Sequence, residues 1–299
     1  MTRNTNASKR EVRKSPWEIK PLDGPFGAEV WGLDLATELE PAMRATVNKA
    51  FIDNVVLCFR GQSFERPEKF LQAVENVGQP MPPVAATYRL PGFDAIEELT
   101  NRAFDKRTGD ETPLQRGGSW HTDHSNLESP PKATVLYAIE VPEVGGNTEF
   151  TNLYHAYEAL DDDTKETIRG KRAFHAYLSR RAPRKLLTRT KAEEEGSSGC
   201  WQPLVREHPE TGRAGLYLNP MRCDAVEGLG EAEGDALLDQ LYAHCDQPRF
   251  QFSHRWCSGD VLIWDNRSAL HQATFDFDPS KLRYLHRIML KGDRPKMAA

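Results

Sequence analysis

The sequence predicts a mainly β protein with flanking helices, of the sandwich or jelly-roll kind. Short runs rich in β-branched and aromatic residues recur from Ala133 onward, parted by turn signals such as Pro142-Glu143-Val144-Gly145-Gly146 and Pro209-Glu210-Thr211-Gly212. Apolar residues at helical spacing mark helices around and between those runs. At 299 residues, 38% of them hydrophobic and 28% charged, the chain is long enough to bury a substantial core as one domain.

Residues 1–16 read as a disordered basic tail, with Arg3, Lys9, Arg10, Arg13 and Lys14 set against Glu11 alone, and residues 17–299 as a single domain. From Pro41 to about Asn54 a helix is predicted, with Met43, Val47, Ala50 and Phe51 on one side. Val55 to Phe59 is a buried strand, ended by Arg60-Gly61. A second amphipathic helix spans Pro67 to Val77, turning Phe70, Leu71, Val74 and Val77 inward until Gly78 stops it. Residues 79 to about 118 are rich in Pro, Gly and charge and read as long irregular loops, which in a compact domain are often functional. Strands follow at Ala133–Glu140, Thr148–Asn152, Arg172–Tyr177, Leu216–Leu218, Val261–Trp264 and Tyr284–Leu290.

The cysteines (Cys58, Cys200, Cys223, Cys245, Cys257) are scattered, odd in number and never spaced Cys-x-x-Cys, which argues against a disulfide framework or a zinc finger. A formal net charge of −5 gives no reason to expect nucleic acid as a partner. No apolar run reaches the roughly 20 residues of a membrane span, and no signal peptide is recognisable, so a cytoplasmic location is expected.

The chemistry concentrates in Ser-Trp-His-Thr-Asp-His, with His121 and Asp123, and far downstream in Trp-Asp-Asn-Arg-Ser-Ala-Leu-His, ending at His271. On a strand His121 and Asp123 would project from one face and could share an ion. Two imidazoles and a carboxylate suit Fe(II) and leave open positions for a co-substrate and O2. A second His-x-Asp, His244-Cys245-Asp246, ends a helical pattern (Leu237, Leu238, Leu241, Tyr242, Cys245). Two residues on a helix diverge by about 200°, so that copy is expected to serve packing and solvation. Arg283, Leu285 and Arg287 share a face if they lie on a strand, which can aim both guanidiniums into one cavity; a solvated basic edge is the alternative.

From about Trp17 to Pro295 the chain resembles the taurine and phenoxyacetate-herbicide dioxygenases, a family of Fe(II)- and 2-oxoglutarate-dependent oxygenases. The resemblance rests on Trp-His-Thr-Asp at 120–123, Pro-Pro at 130–131, Gly-Gly-Asn-Thr at 145–148, Trp-Asp-Asn-Arg at 264–267 and His-Arg at 286–287. It implies a double-stranded β-helix in which His121, Asp123 and His271 bind iron. Thr148 and Arg283 would hold the distal carboxylate of 2-oxoglutarate, and Arg287 the anionic group of the substrate. It further implies hydroxylation of a small sulfonate or carboxylate with succinate and CO2 as co-products, followed where the chemistry allows by C–S, C–O or C–N cleavage, and a homo-oligomer.

Taurine itself is disfavoured. Gly117 stands where a taurine enzyme has a polar contact to the amine, and Met81-Pro82-Pro83-Val84-Ala85-Ala86 lacks the His and Tyr expected around a sulfonate. The basic stretch Arg180, Arg181, Arg184, Lys185, Arg189, Lys191 reads as a charged surface, or else as a lid recruiting an anion. Asp123 argues against the halogenase variant, and Gly228-Leu229-Gly230 with Gly234 misses the dinucleotide spacing. The alternative of another class is a non-catalytic β-helix protein that binds a metal or small acid.

Overall fold

A computed structural model describes residues 17–83, 88–102, 116–183 and 199–299. The chain begins with the hairpin β1 (Glu18–Pro21) and β2 (Ala28–Trp31), then α1 (Pro41–Asn54), β3 (Val56–Phe59) and α2 (Pro67–Glu75). Proline starts both helices, where its missing N–H costs nothing. Next come β4 (Pro80–Met81), β5 (Glu97–Thr100), β6 (Ala133–Glu140) and β7 (Thr148–Asn152). The short helices α3 (Leu153–Glu158) and α4 (Asp162–Ile168) follow, capped by Asn152 and Asp161 through backbone N–H groups. The remainder is β8 (Arg172–Ala176), β9 (Gly199–Pro203), β10 (Val205–Glu207), β11 (Ala214–Leu216), β12 (Cys223–Val226), α5 (Glu231–Cys245), β13 (Gln251–His254), β14 (Val261–Asp265), β15 (Ala269–Ala273), β16 (Tyr284–Leu290) and β17 (Lys296–Met297).

The large sheet runs β1-β2-β3-β14-β6-β16-β4, with β5 also paired to β16, and a smaller one runs β13-β7-β15. Alternation along the central strands explains how they fit between two layers. Val261 and Ile263 of β14 join Val135, Ile288 and Leu290 in a core shared with Val47, Phe51, Phe70 and Val74 of α1 and α2. Leu262 and Trp264 face the other way and pack with Leu136, Ala138 and Leu285 against Phe150, Phe252 and Ala269 of the smaller sheet. Covered on both faces, β14 therefore reads as an unbroken apolar run. A third core lies under α3, α4 and α5.

The irregular region expected at 79–118 is in part a strand region: β4 and β5 both pair with β16. Glu-Glu-Leu-Thr has no strand signature of its own, and long-range pairing with β16 makes it one. The strand expected at Leu216–Leu218 lies at Ala214–Leu216, and α2 ends at Glu75 rather than Val77. The basic tail, Val84 to Ala86, and Arg184, Lys185, Arg189 and Lys191 lie outside the described residues. No helix among the described residues is long and apolar enough to cross a membrane.

Candidate metal centre and active site

His121 and His271 reach each other through the backbone. Each donates its N–H to the other's carbonyl, at 3.0 and 2.8 Å, which makes an isolated antiparallel bridge. Residues directly opposite in such a bridge project to one side. The two imidazoles accordingly lie 4.2 Å apart, centroid to centroid. His271 is central in β15, and His121 occupies an isolated bridge position. Asp123 follows in a turn, not on the strand expected for His-x-Asp. That turn places His124 at a φ of 46°, a left-handed conformation strained for histidine.

The donor atoms of His121, Asp123 and His271 all lie within 4.8 Å of one another. Each imidazole Nε2 stands 3.9 Å from an Asp123 carboxylate oxygen, too far for a hydrogen bond and close enough for a shared cation. His121 Nδ1 lies 2.7 Å from the Ser119 carbonyl, which can only accept, so the lone pair of a neutral His121 ring is on Nε2. Burial alone would raise the Asp123 carboxyl. Arg287, then His271 and His121, outweigh it and hold Asp123 well below the usual carboxylate range. Burial, then the neighbouring His121, pushes His271 down toward the neutral, ligating form. These residues fit a divalent metal such as Fe(II).

A chain of hydrogen bonds fixes the carboxylate. Thr134 Oγ1 donates to Asp123 Oδ2 at 2.6 Å and accepts from Asn266 Nδ2 at 2.9 Å, while Trp264 Nε1 donates to Asn266 Oδ1 at 3.0 Å. Trp264 also packs on the His271 ring, 4.6 Å between centroids. The Trp-Asp-Asn-Arg motif thus orients the ligands from behind, and its Asp265 and Arg267 pair with each other at 2.7 Å.

Arg283 is 7% exposed, and its Nε donates to the Gly146 carbonyl at 3.1 Å. No carboxylate among the described residues answers it, and burial alone pushes its guanidinium down to about 10. The Gly-Gly-Asn-Thr turn explains how Arg283 passes there: Gly146 has φ 67°, and a Cβ would lie 3.3 Å from Arg283 Cδ. Thr148 Oγ1 accepts from Trp256 Nε1 at 3.0 Å, which leaves its own proton free to donate to an acid.

Arg287 lies beside Asp123, with NH1 3.4 Å from Oδ1. Its Nε donates at 2.6 Å to Glu97, the residue opposite it in the β5–β16 ladder. Glu97 is 2% exposed, and its other oxygen lies 3.4 Å from Arg116. Glu97, Arg116 and Thr134 were not singled out by sequence reasoning; a Glu-Arg register pair across two strands was the one signal available for Glu97. Of the basic stretch, Arg180 and Arg181 both pair with Asp235 of α5, each at 2.7 Å, which is the charged-surface arrangement. His244 and Asp246 diverge as expected, to the Ala156 carbonyl and to Trp120 Nε1.

The described residues hold one other cluster of potential metal donors, Cys58, His254 and Asp260. There Asp260 Oδ2 already accepts from Arg60 at 2.5 Å, from Cys257 N at 2.8 Å and faces His254 Nε2 at 3.3 Å. Burial, then Asp260, raises the Cys58 thiol far above its usual range, so no thiolate is offered.

The taurine catabolism dioxygenase TauD, TfdA family model matches residues 18–289. The chain is 32% identical over 289 residues to the (S)-phenoxypropionate/alpha-ketoglutarate-dioxygenase of Sphingobium herbicidovorans, covering 93% of this chain and 96% of that protein. It is 29% identical to the alpha-ketoglutarate-dependent sulfate ester dioxygenase of Pseudomonas putida, over 93% of this chain and 90% of that one. The crystal structure of a taurine dioxygenase from Burkholderia xenovorans superposes with a TM-score of 0.78 at 30% identity, covering 94% of this chain and 91% of that one. With nearly the whole chain matched and a group of side chains that could hold a metal, the protein belongs to the TauD, TfdA family and is a 2-oxoglutarate-dependent dioxygenase that uses Fe(II) and O2.

Proposed function

We propose that residues 17–299 form one double-stranded β-helix domain that hydroxylates a small organic acid, a carboxylate, sulfonate or sulfate ester, on the carbon next to its heteroatom. His121, Asp123 and His271 hold Fe(II), Arg283 and Thr148 hold the distal carboxylate of 2-oxoglutarate, and Arg287 makes the substrate side of the metal positive. The observation that carries this reading is Arg283, a buried guanidinium with a backbone acceptor and no acid of its own among the described residues. A dicarboxylate supplies the missing charge, and a fork-shaped guanidinium meets a carboxylate through two parallel bonds.

Bound Fe(II), with 2-oxoglutarate and O2, supplies the oxidation of a substrate C–H bond while the keto acid becomes succinate and CO2. Thr134 and Ser119 orient the ligands, Trp264 and Phe150 wall His271 from water, and Arg283 fixes the direction of the co-substrate. Relatives named for phenoxypropionate and sulfate esters act on compounds with a carbon bonded to oxygen. Hydroxylation of that carbon would give a hemiacetal-type adduct whose collapse to a carbonyl expels the phenol or hydrogen sulfate, and this is the outcome we favour. Anaerobic addition of Fe(II) and 2-oxoglutarate should give a weak visible band, and air should then produce succinate with phenoxy acids or alkyl sulfates. A band with no O2 uptake across the panel would mark a binding protein instead.

A further inference from the structure

Two guanidiniums approach one buried carboxylate beside the metal site, and they are not held alike. Arg287 is locked: Nε donates to Glu97 at 2.6 Å, NH2 pairs with the same oxygen, and NH1 leans on Asp123. Arg116 is held loosely, with NH2 3.4 Å from Glu97 and NH1 3.5 Å from the Glu98 carbonyl, and its guanidinium lies 4.2 Å above the Tyr88 ring. Both contacts are at the long limit of a hydrogen bond. Arg116 is also the more open, its side chain 21% exposed against 13% for Arg287.

Position puts Arg116 at the edge of the chemistry. The next residue, Gly117, accepts a backbone hydrogen bond from Ala273 at 2.8 Å, and a Cβ on it would lie 3.6 Å from His121 Cε1. With Asp123 turned to the two imidazoles and the metal they would hold, Glu97 is left among the described residues to answer both guanidiniums, a surplus of one positive charge. Burial would raise the Glu97 carboxyl, but Arg287 and Arg116 outweigh it and keep it ionised.

Resting on the function proposed above, we infer that Arg116 is the residue that grips the substrate's acid group, and that Glu97, by locking Arg287 and cancelling one positive charge, selects a singly charged anion. The weakly held guanidinium can exchange a long contact for a short one with little loss. Arg287 would have to give up its shortest bonds and its contact to Asp123. A carboxylate or sulfate ester restores neutrality; a phosphate monoester overshoots it.

The test uses (S)-2-phenoxypropionate and hexyl sulfate as substrates and phenyl phosphate as inhibitor, with succinate formation and calorimetric binding as readouts. Arg116→Leu should raise KM for either substrate about 30-fold, with kcat within about threefold and the 2-oxoglutarate titration unmoved, as expected for one lost charge-assisted contact. Arg116→Lys should recover part of that loss. Glu97→Gln, which adds one unit of positive charge, should tighten phenyl phosphate inhibition at least about tenfold. If Arg116→Leu keeps the wild-type KM, or Glu97→Gln leaves phenyl phosphate unchanged, the assignment is overturned while the function stands. If the wild type neither binds nor turns over either acid, the function and the assignment fall together.

Discussion

Two clusters among the described residues carry nearly the same donor types, and their surroundings differ in a way that supports the metal site proposed above in only one of them. Cys58, His254 and Asp260 are each at most 1% exposed, and Asp260 Oδ2 is engaged by Arg60, the Cys257 N–H and His254, while the Cys58 thiol is held protonated by burial. The Nε2 atoms of His121 and His271 each stand 3.9 Å from an Asp123 carboxylate oxygen, beyond hydrogen-bond reach. Arg60 and Arg283 differ too, since Arg60 is paired with Glu29 and Asp260 whereas Arg283 has a carbonyl and no carboxylate among the described residues. Donor identity alone does not make a site. What distinguishes the two clusters is a cation already in place: Arg60 occupies the Asp260 carboxylate at 2.5 Å, and the Cys58 thiol stays protonated.

The most severe way to break this comparison is to remove a donor from each cluster. Asp123→Ala and His121→Ala should bring bound Fe(II) and succinate formation to background with native circular dichroism retained; a variant with near-native iron content would remove that residue from the ligand set. Asp260→Ala should leave iron content unchanged and instead cost about 1–3 kcal/mol in urea unfolding, because it takes the acceptor from buried His254 and from the Cys257 N–H and leaves Arg60 with Glu29 alone. Iron loss in Asp260→Ala with stability intact would reverse the roles of the two clusters.

Arg283 sharpens the comparison. Arg283→Leu should weaken 2-oxoglutarate by about 2–5 kcal/mol in calorimetric titration, yet leave the ligand-free protein no less stable, since it removes an uncompensated buried charge. Thr148→Ala should cost the same titration only about 1 kcal/mol. Equal effects from the two would sink the assignment of the charge to Arg283. A milder result is expected of Thr134→Val, which removes the donor to Asp123 without touching the ligand atoms. Iron affinity should fall about 10- to 100-fold, the usual toll for losing an outer partner of a metal ligand, and unchanged affinity would show that the carboxylate is positioned by the turn alone.

Much of this was legible in the chain. Residue type encodes ligand chemistry, so His121, Asp123 and His271 stood out before their arrangement was known, and apolar runs such as Ala133–Glu140 and Tyr284–Leu290 became strands with the expected bounds. The geometric reason was different from the one the pattern suggested. His121 and Asp123 do not share a strand face; a backbone bridge to β15 and a strained turn bring them together. Glu97 was illegible because Glu-Glu-Leu-Thr becomes a strand only through pairing with β16, and the Cys58 cluster because its members are joined by no local pattern.

The bridge between His121 and His271 has a consequence for how the protein responds to its metal. The imidazoles sit on segments joined directly by their own two amide hydrogen bonds, so an ion held by both rings is a staple across a seam between remote parts of the chain. In the metal site proposed above, occupancy and local opening would thereby be linked: what loosens the seam would release the ion, and loading the ion would slow the seam's breathing. The two amide protons of that bridge are a built-in gauge, readable by hydrogen exchange, of how much of a preparation carries metal.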